Sequence, residues 1–406
     1  MRLFMNACGG KIRTRRYTRT FFCAYFLYYA GYALFSSYMV SYLTQRGMSA
    51  TICGIVTSLT LFMNVCIQPI AGYLTDTCLE IKRYLTLSIA AVCLFGFMTT
   101  GFASNNLVSI ILIVISAAFS YPFIQLMDAW VNCSGEVDDQ LVYSRVRAGG
   151  SIGFAVASMA AGYYFHAYGY GNYFLLQAAC FLAILPLLYR LPALPMGNCR
   201  TSSCKEQPRV NFFQSFAILL RIPQYTACLL LFSLYWMSHR SIGSYLALIT
   251  DLYGGGDRLF GNVCGVGAVV ESLMLLIVAK LNRHFSLRQI LTGSILLCAV
   301  RPMLLQTGSV PLLYIGQIVQ SVSFALYFTA STACFTKFAD PRIRGFSISV
   351  GLTSVSVIGT VCANFIGGML FDLHGVARCI DMSLLLSAVN VLVFVLFSNI
   401  LFGKED

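Results

Sequence analysis

A few ionisable side chains stand inside or at the edge of long apolar runs in this 406-residue chain: Asp128, Arg147, Arg240, Glu271 and Arg301. An ionisable group near the middle of a membrane helix costs about 3 kcal/mol, so those that persist are paired or functional. Asp128 lies beyond Pro122 near the end of one run, and Arg147 opens the next, so a short hairpin brings them to similar depth. A carboxylate acceptor beside a planar fork of donors suits a polyhydroxylated ligand; the same two groups would serve equally as a structural salt bridge. Phe154, two turns beyond Arg147, could offer a ring face to the apolar side of such a ligand. Tyr25, Tyr28, Tyr29, Tyr32, Tyr38 and Tyr42 crowd the first apolar run. Tyr25, Tyr28 and Tyr32 recur at helical spacing, which turns hydroxyls toward one wet face, while an interfacial aromatic belt accounts equally well for Tyr42.

In the second half, Arg240 lies about ten residues from one end of its run and Glu271 about eleven from the facing end of the next, so a hairpin sets both roughly 15 to 17 Å deep. Arg301 sits in the run after that. A carboxyl held between apolar surroundings, which favour its neutral form, and a cation, which favours its ionised form, is suited to exchanging a proton. A fixed Glu271–Arg240 salt bridge is the competing expectation. His239 precedes Arg240 and points about 100° away from it, as a packing residue would.

These residues need elements that can carry them through an apolar medium. The chain is 58% hydrophobic and only 10% charged, with a mean hydropathy of +0.76, whereas soluble domains carry about 25% charged residues. A spanning helix needs about 20 apolar residues, and the sequence divides into twelve such runs: 21–43, 51–74, 84–103, 107–130, 148–165 and 173–191, then 223–248, 260–281, 290–305, 310–335, 346–370 and 379–402. The formal charge of +12 is distributed, not clustered. Of 27 Lys and Arg, only Arg46, Arg258 and Arg378 fall in alternate loops and only Arg240 and Arg301 deep inside spans, Arg190 and Lys280 standing at the inner ends of theirs. All the others gather on one side, which predicts a cell-membrane protein with both termini cytoplasmic. The first run is too long for a signal-peptide core and is read as retained. The 16 cysteines, mostly within spans, lack metal-ligand spacing and read as packing residues. No phosphate loop, metal cluster or nucleophile elbow is present, which argues against a pump or an enzyme and leaves no cofactor or nucleic-acid partner to expect.

The longest polar interruption, 192–222, divides the chain into six-helix bundles at 1–191 and 223–406. Sliding the sequence by 206 residues aligns Ile152, Gly153, Ala157, Gly162, Phe165 and Gly169 with Ile358, Gly359, Ala363, Gly368, Phe371 and Gly375. Duplicated halves of six helices around a midplane site are the architecture of the major facilitator superfamily. The fold expected is therefore an all-α membrane protein of twelve transmembrane helices in two pseudo-symmetric bundles.

Two stretches carry a family resemblance. Gln68-Pro69, Gly72, Asp76 and Lys82-Arg83 resemble the superfamily's loop signature, with the basic pair one residue further along. The resemblance implies that this loop forms a cytoplasmic gate. The stretch from Tyr143 through Arg147 and Ser151 to Ala155 resembles the fifth helix of the lactose permease type of sugar:proton symporter. Arg147 falls on that family's sugar-binding arginine, Phe154 on its aromatic platform and Asp128 within one position of its sugar-binding carboxylate. The likeness continues through Glu271, Arg301 and the segment from Gln320 to Tyr327, with Gln320 and Ser323 where the permease has a histidine and a glutamate.

The resemblance implies a secondary transporter working by alternating access: a proton-coupled symporter of a sugar, oligosaccharide or comparable polar solute, acting as a monomer. The implied solute site is Asp128, Arg147 and Phe154, with Tyr28 and Tyr32 from the stripe; Glu271, Arg301 and Arg240 would couple the proton. The partners expected are the solute, a co-transported proton and the lipid bilayer. A nucleoside, aromatic-acid or drug transporter on the same fold stands as the alternative, with a solute-binding membrane sensor behind it.

Overall fold

A computed structural model of the chain describes residues 10–102, 104–135, 141, 143–191, 218–281, 284–339 and 344–403. Most of the polar interruption at 192–222 lies outside the described residues. Among the described residues every regular element is a helix: α1 Gly10–Gln45, α2 Ala50–Thr77, α3 Ile81–Gly101, α4 Asn106–Ser120, α5 Pro122–Gly135, α6 Tyr143–Tyr168, α7 Tyr173–Leu182, α8 Leu185–Arg190, α9 Pro223–Gly243, α10 Leu246–Leu252, α11 Gly256–Leu281, α12 Leu287–Leu305, α13 Val310–Lys337, α14 Arg344–His374 and α15 Ala377–Phe402. Helices dominate because a chain in hydrocarbon must satisfy its backbone polar groups internally.

Three pairs of helices, α4 with α5, α7 with α8 and α9 with α10, are single rods with a break. Pro122 interrupts the first, since proline lacks the N–H that would continue the ladder. Joined across these breaks, the helices match the twelve expected runs one for one. Nine are long and apolar enough to cross a membrane by length and composition. Those that fall short, α1, α6 and the α9–α10 rod, carry the tyrosine stripe, Arg147, and His239 with Arg240. Their sequences trade apolarity for polar groups that need shelter inside a bundle.

The chain divides into two compact units: one of residues 1–38 and 59–205, the other of 39–58 and 206–406. The first unit packs Phe21, Tyr25, Tyr28, Phe123, Trp130 and Phe181 at its core. The second packs Tyr225, Phe232, Tyr235, Tyr327 and Phe335. Outward faces are apolar instead: Phe97, Leu107, Leu276 and Leu385 are each about two-thirds exposed, as lipid contact requires.

Inside the second unit, serines let helices approach and tie them. Ser294 Oγ donates to the Ser323 carbonyl at 3.0 Å and Ser323 Oγ returns a bond to Ser294 O at 2.8 Å, joining α12 to α13. Ser238 and Ser387 are hydrogen-bonded through their hydroxyls at 2.7 Å between α9 and α15. Small hydroxylated residues do this commonly where helices must touch in lipid.

The repeat recurs as geometry. Tyr38 Oη donates to Ser158 O at 2.6 Å, and Tyr245 Oη donates to Asn364 O at 2.6 Å. Ser158 and Asn364 are 206 residues apart, like the sequence pairs. The same tyrosines lie against Phe165 and Phe371, at 5.0 and 6.2 Å between ring centroids. Gly169 and Gly375 then end the two helices at φ of +67° and +86°, left-handed values that glycine adopts without strain.

Candidate functional site

In the first unit, the site begins with how closely α6 presses on α1. A Cβ added at Gly149 would come within 2.5 Å of the Phe22 carbonyl, and one at Gly153 would strike the Phe26 backbone. Only glycine permits that approach. It sets the Arg147 guanidinium over the Tyr29 ring, 4.3 Å from its centroid, a favourable cation–π geometry.

From α5, Asp128 presents its carboxylate to the same place. Tyr25 donates to Asp128 Oδ1 at 2.5 Å and Tyr143 donates to the same oxygen at 3.1 Å. Arg147 is near enough for its charge to act on both Asp128 and Tyr143. Asp128 and Arg147 are thus brought together without a direct ion pair, each engaged by tyrosines. A carboxylate held by two phenols, beside a guanidinium resting on a ring, keeps acceptor and donor capacity for a third party.

The aromatic residues divide by role. Tyr28 is only 1% exposed, stacks on Phe123 at 5.1 Å and donates to Ser120 O at 3.2 Å beside the α4–α5 break. Tyr32 is half-buried, edge-on to Tyr121 at 5.8 Å and 6.4 Å from Phe154, also half-buried. Tyr32, Tyr121 and Phe154 therefore form a partly open aromatic wall, while Tyr28 supports it from behind.

In the second unit, Glu271 on α11 and Arg240 in the last turn of α9 are half-buried and engaged in interactions of their own. Arg301 on α12 is 4% exposed. Its Nη2 donates to Gln317 Oε1 at 3.1 Å, and Gln317 Nε2 donates onward to Gln320 Oε1 at 2.9 Å. Gly267 makes room, since a Cβ there would meet Gln317 at 2.5 Å. Arg301, Gln320, Ser323, Tyr235, Ser238 and His239 line a small cavity. His239 stacks on Phe324 at 5.5 Å and lies beside Trp236 at 5.6 Å. It both packs and faces the cavity.

At the α2–α3 connection, Lys82 Nζ donates to the carbonyls of Tyr189 and Leu191, both at 3.4 Å, tying this loop to the end of α8. Arg83 pairs with Glu80 at 3.7 Å on the surface. Asp76 is exposed, and space opens beside Gly72.

Three contributors escaped the sequence reading. Tyr143 stands one turn before Arg147, and i, i+4 spacing could have revealed it. Gln317 lies one turn before Gln320 in the same way. Asp372 had no sequence signal: its carboxylate accepts from Ala50 N at 2.8 Å, Thr51 N at 2.9 Å and Thr51 Oγ1 at 2.6 Å, capping α2 from α14. Its use required the tertiary structure.

Comparison with known proteins agrees with this architecture. The chain is 22% identical to the maltose permease of Geobacillus stearothermophilus over 394 residues, 96% of each protein. Its fold matches the nucleoside transporter NupG with a TM-score of 0.81 at 14% identity, covering 96% of this chain and 100% of the other. A bacterial homologue of the human lysosomal transporter Spinster, solved inward-facing, matches with a TM-score of 0.72 at 13% identity over 97% and 98% of the two chains. The model of the MFS_1 like family matches residues 19–381. The chain accordingly belongs to that family, and it is a multi-pass secondary transporter of a small-molecule solute, not an enzyme.

Proposed function

We propose that this transporter is a proton-coupled symporter that carries a sugar or oligosaccharide through the cell membrane into the cytoplasm, as a monomer with both termini cytoplasmic. The observation that carries the reading is the arrangement around Asp128, whose carboxylate takes two tyrosine hydroxyls while Arg147 waits on Tyr29. A polyhydroxylated solute can exchange its own hydroxyls for those phenols, accept from the guanidinium and rest an apolar face on Tyr32 and Phe154. The maltose permease relative supports a sugar as the solute class.

In this reading Asp128, Arg147, Phe154 and Tyr32 touch the solute, with Tyr28 behind them. Gly72, Asp76, Lys82 and Arg83 form the cytoplasmic gate, and the chain divides into bundles 1–191 and 223–406. Glu271 is the coupling acid, with Arg240 and Arg301 as the cations that bias its ionisation. A nucleoside is the second reading, favoured by the aromatic wall, whose rings could stack a base.

Reconstitution into proteoliposomes decides between them. Uptake of labelled maltose, driven by an inward proton gradient and competed weakly by uridine, is the expected result. Uridine uptake that maltose leaves untouched would replace the sugar reading. Accumulation that persists without a pH gradient would remove the proton. Glu271→Gln should abolish gradient-driven accumulation while leaving exchange between two solute pools intact.

A further inference from the structure

The second unit contains a buried cation that its neighbours leave incompletely paired. Arg301 is 4% exposed, yet its Nε and Nη1 are buried without a hydrogen-bond partner, and only Nη2 is used, on Gln317. An incompletely paired guanidinium in the interior of a membrane protein is strongly unfavourable, so a site that keeps one is built to be completed by something else.

The side chains around it indicate what. In the relay from Arg301 to Gln317 to Gln320 both amide oxygens already accept, while the Gln320 N–H groups remain to donate onward. His239 adds a ring N–H in either tautomer. Among the residues lining the cavity there is no carboxylate. A second cation, Arg240, is near enough for its charge to act on both Arg301 and His239. Donors and positive charge converge where an acceptor-only group would be satisfied on every side.

We propose that the Arg301 cavity is an anion-binding site for one compact, singly charged group, either a carboxylate carried by the solute or a free inorganic anion such as chloride. The aromatic face formed by His239, Phe324 and Trp236 lies beside it and suits an organic body attached to such a group. The inference rests on the cavity's chemistry, independently of which solute the first unit binds.

The protein supplies its own reporter, because Trp236 is one of only two tryptophans and lies 5.6 Å from His239. Purified full-length protein carrying Trp130→Phe would be titrated with sodium chloride and, separately, sodium acetate, each replacing the bulky HEPES anion at constant ionic strength. Trp236 fluorescence and the melting temperature are read together. A saturable response to either anion is expected. Arg301→Lys, which keeps the charge but loses the fork, and Gln320→Leu, which removes one donor, should each raise the midpoint by about tenfold or more. Arg301→Gln should abolish the response; if that variant does not fold, the other two carry the test.

Response to acetate without chloride identifies a carboxylate of the solute, and chloride response that acetate cannot compete identifies a free anion. Either supports the site. No saturable response to either salt, or midpoints unmoved by Arg301→Lys and Gln320→Leu, overturns it. This readout is binding, so a carrier that moves no sugar can still pass, and one that moves sugar can still fail.

Discussion

The two units use one helical scaffold for different chemistry. Tyr28 in the first stacks on Phe123 at 5.1 Å and donates to a carbonyl; Tyr235 in the second stacks on Tyr327 at 4.1 Å and bonds Ser323 Oγ at 2.7 Å. Around the first pair stand an acid and a base, Asp128 and Arg147, both served by phenols. Around the second stands Arg301, served by amides. Gly153 presses α6 onto the backbone of α1, whereas a Cβ added at its repeat partner Gly359 would meet the side chain of Trp236 at 2.7 Å. The tyrosine-to-carbonyl bonds of Tyr38 and Tyr245 are alike in the two units, while the side chains that face inward differ. Packing is constrained by backbone geometry at many contacts, while an inward polar residue answers to one ligand.

The largest difference expected between the units lies in those glycines. Gly153→Ala should destabilise by about 3 kcal/mol, because a backbone cannot step aside, and Gly359→Ala by about 1 kcal/mol, because an indole can shift. Thermal unfolding in detergent measures both, and equal losses would break the comparison.

Next is the charge. Asp128→Asn should weaken maltose binding by about 1.5 to 3 kcal/mol through lost charge-assisted hydrogen bonds. Gln320→Leu, changed in the other unit, should leave maltose affinity within about 0.5 kcal/mol if the units divide their ligands as proposed. A calorimetric titration in which both lose equally would break that division.

Single hydroxyls sharpen the point further. Tyr25→Phe removes a donor from a carboxylate and should cost about 1.5 kcal/mol of stability, against about 1 kcal/mol for Tyr235→Phe, whose partner is a neutral hydroxyl. The same melting assay ranks them, and the reverse order would mean that Asp128 is satisfied without Tyr25.

The smallest difference concerns the conserved geometry. Tyr38→Phe and Tyr245→Phe each delete a 2.6 Å bond to a carbonyl, so each should cost about 1 kcal/mol and the two should agree. Disagreement by more than that would show that the repeat is symmetric in shape but not in energy.

The sequence by itself determined the solvent and the fold. Apolar runs of spanning length, one-sided basic loops and the glycine and aromatic repeat at 206 residues are local or periodic features, and a bilayer imposes them on any chain that crosses it. It also marked the residues that matter chemically, because Asp128, Arg147, Glu271 and Arg301 stand out wherever charge is expensive. Which groups meet was decided by tertiary structure alone. Nothing in the order of residues says that Tyr25 and Tyr143 rather than Arg147 would hold the Asp128 carboxylate, that Asp372 would cap a helix more than 320 positions earlier, or that Gln317 would stand between Arg301 and Gln320. Helical periodicity gives a side chain its direction along one rod, but its partner depends on how rods are rotated and spaced. That is set by the sum of small-residue contacts across the bundle, which no single stretch of sequence contains.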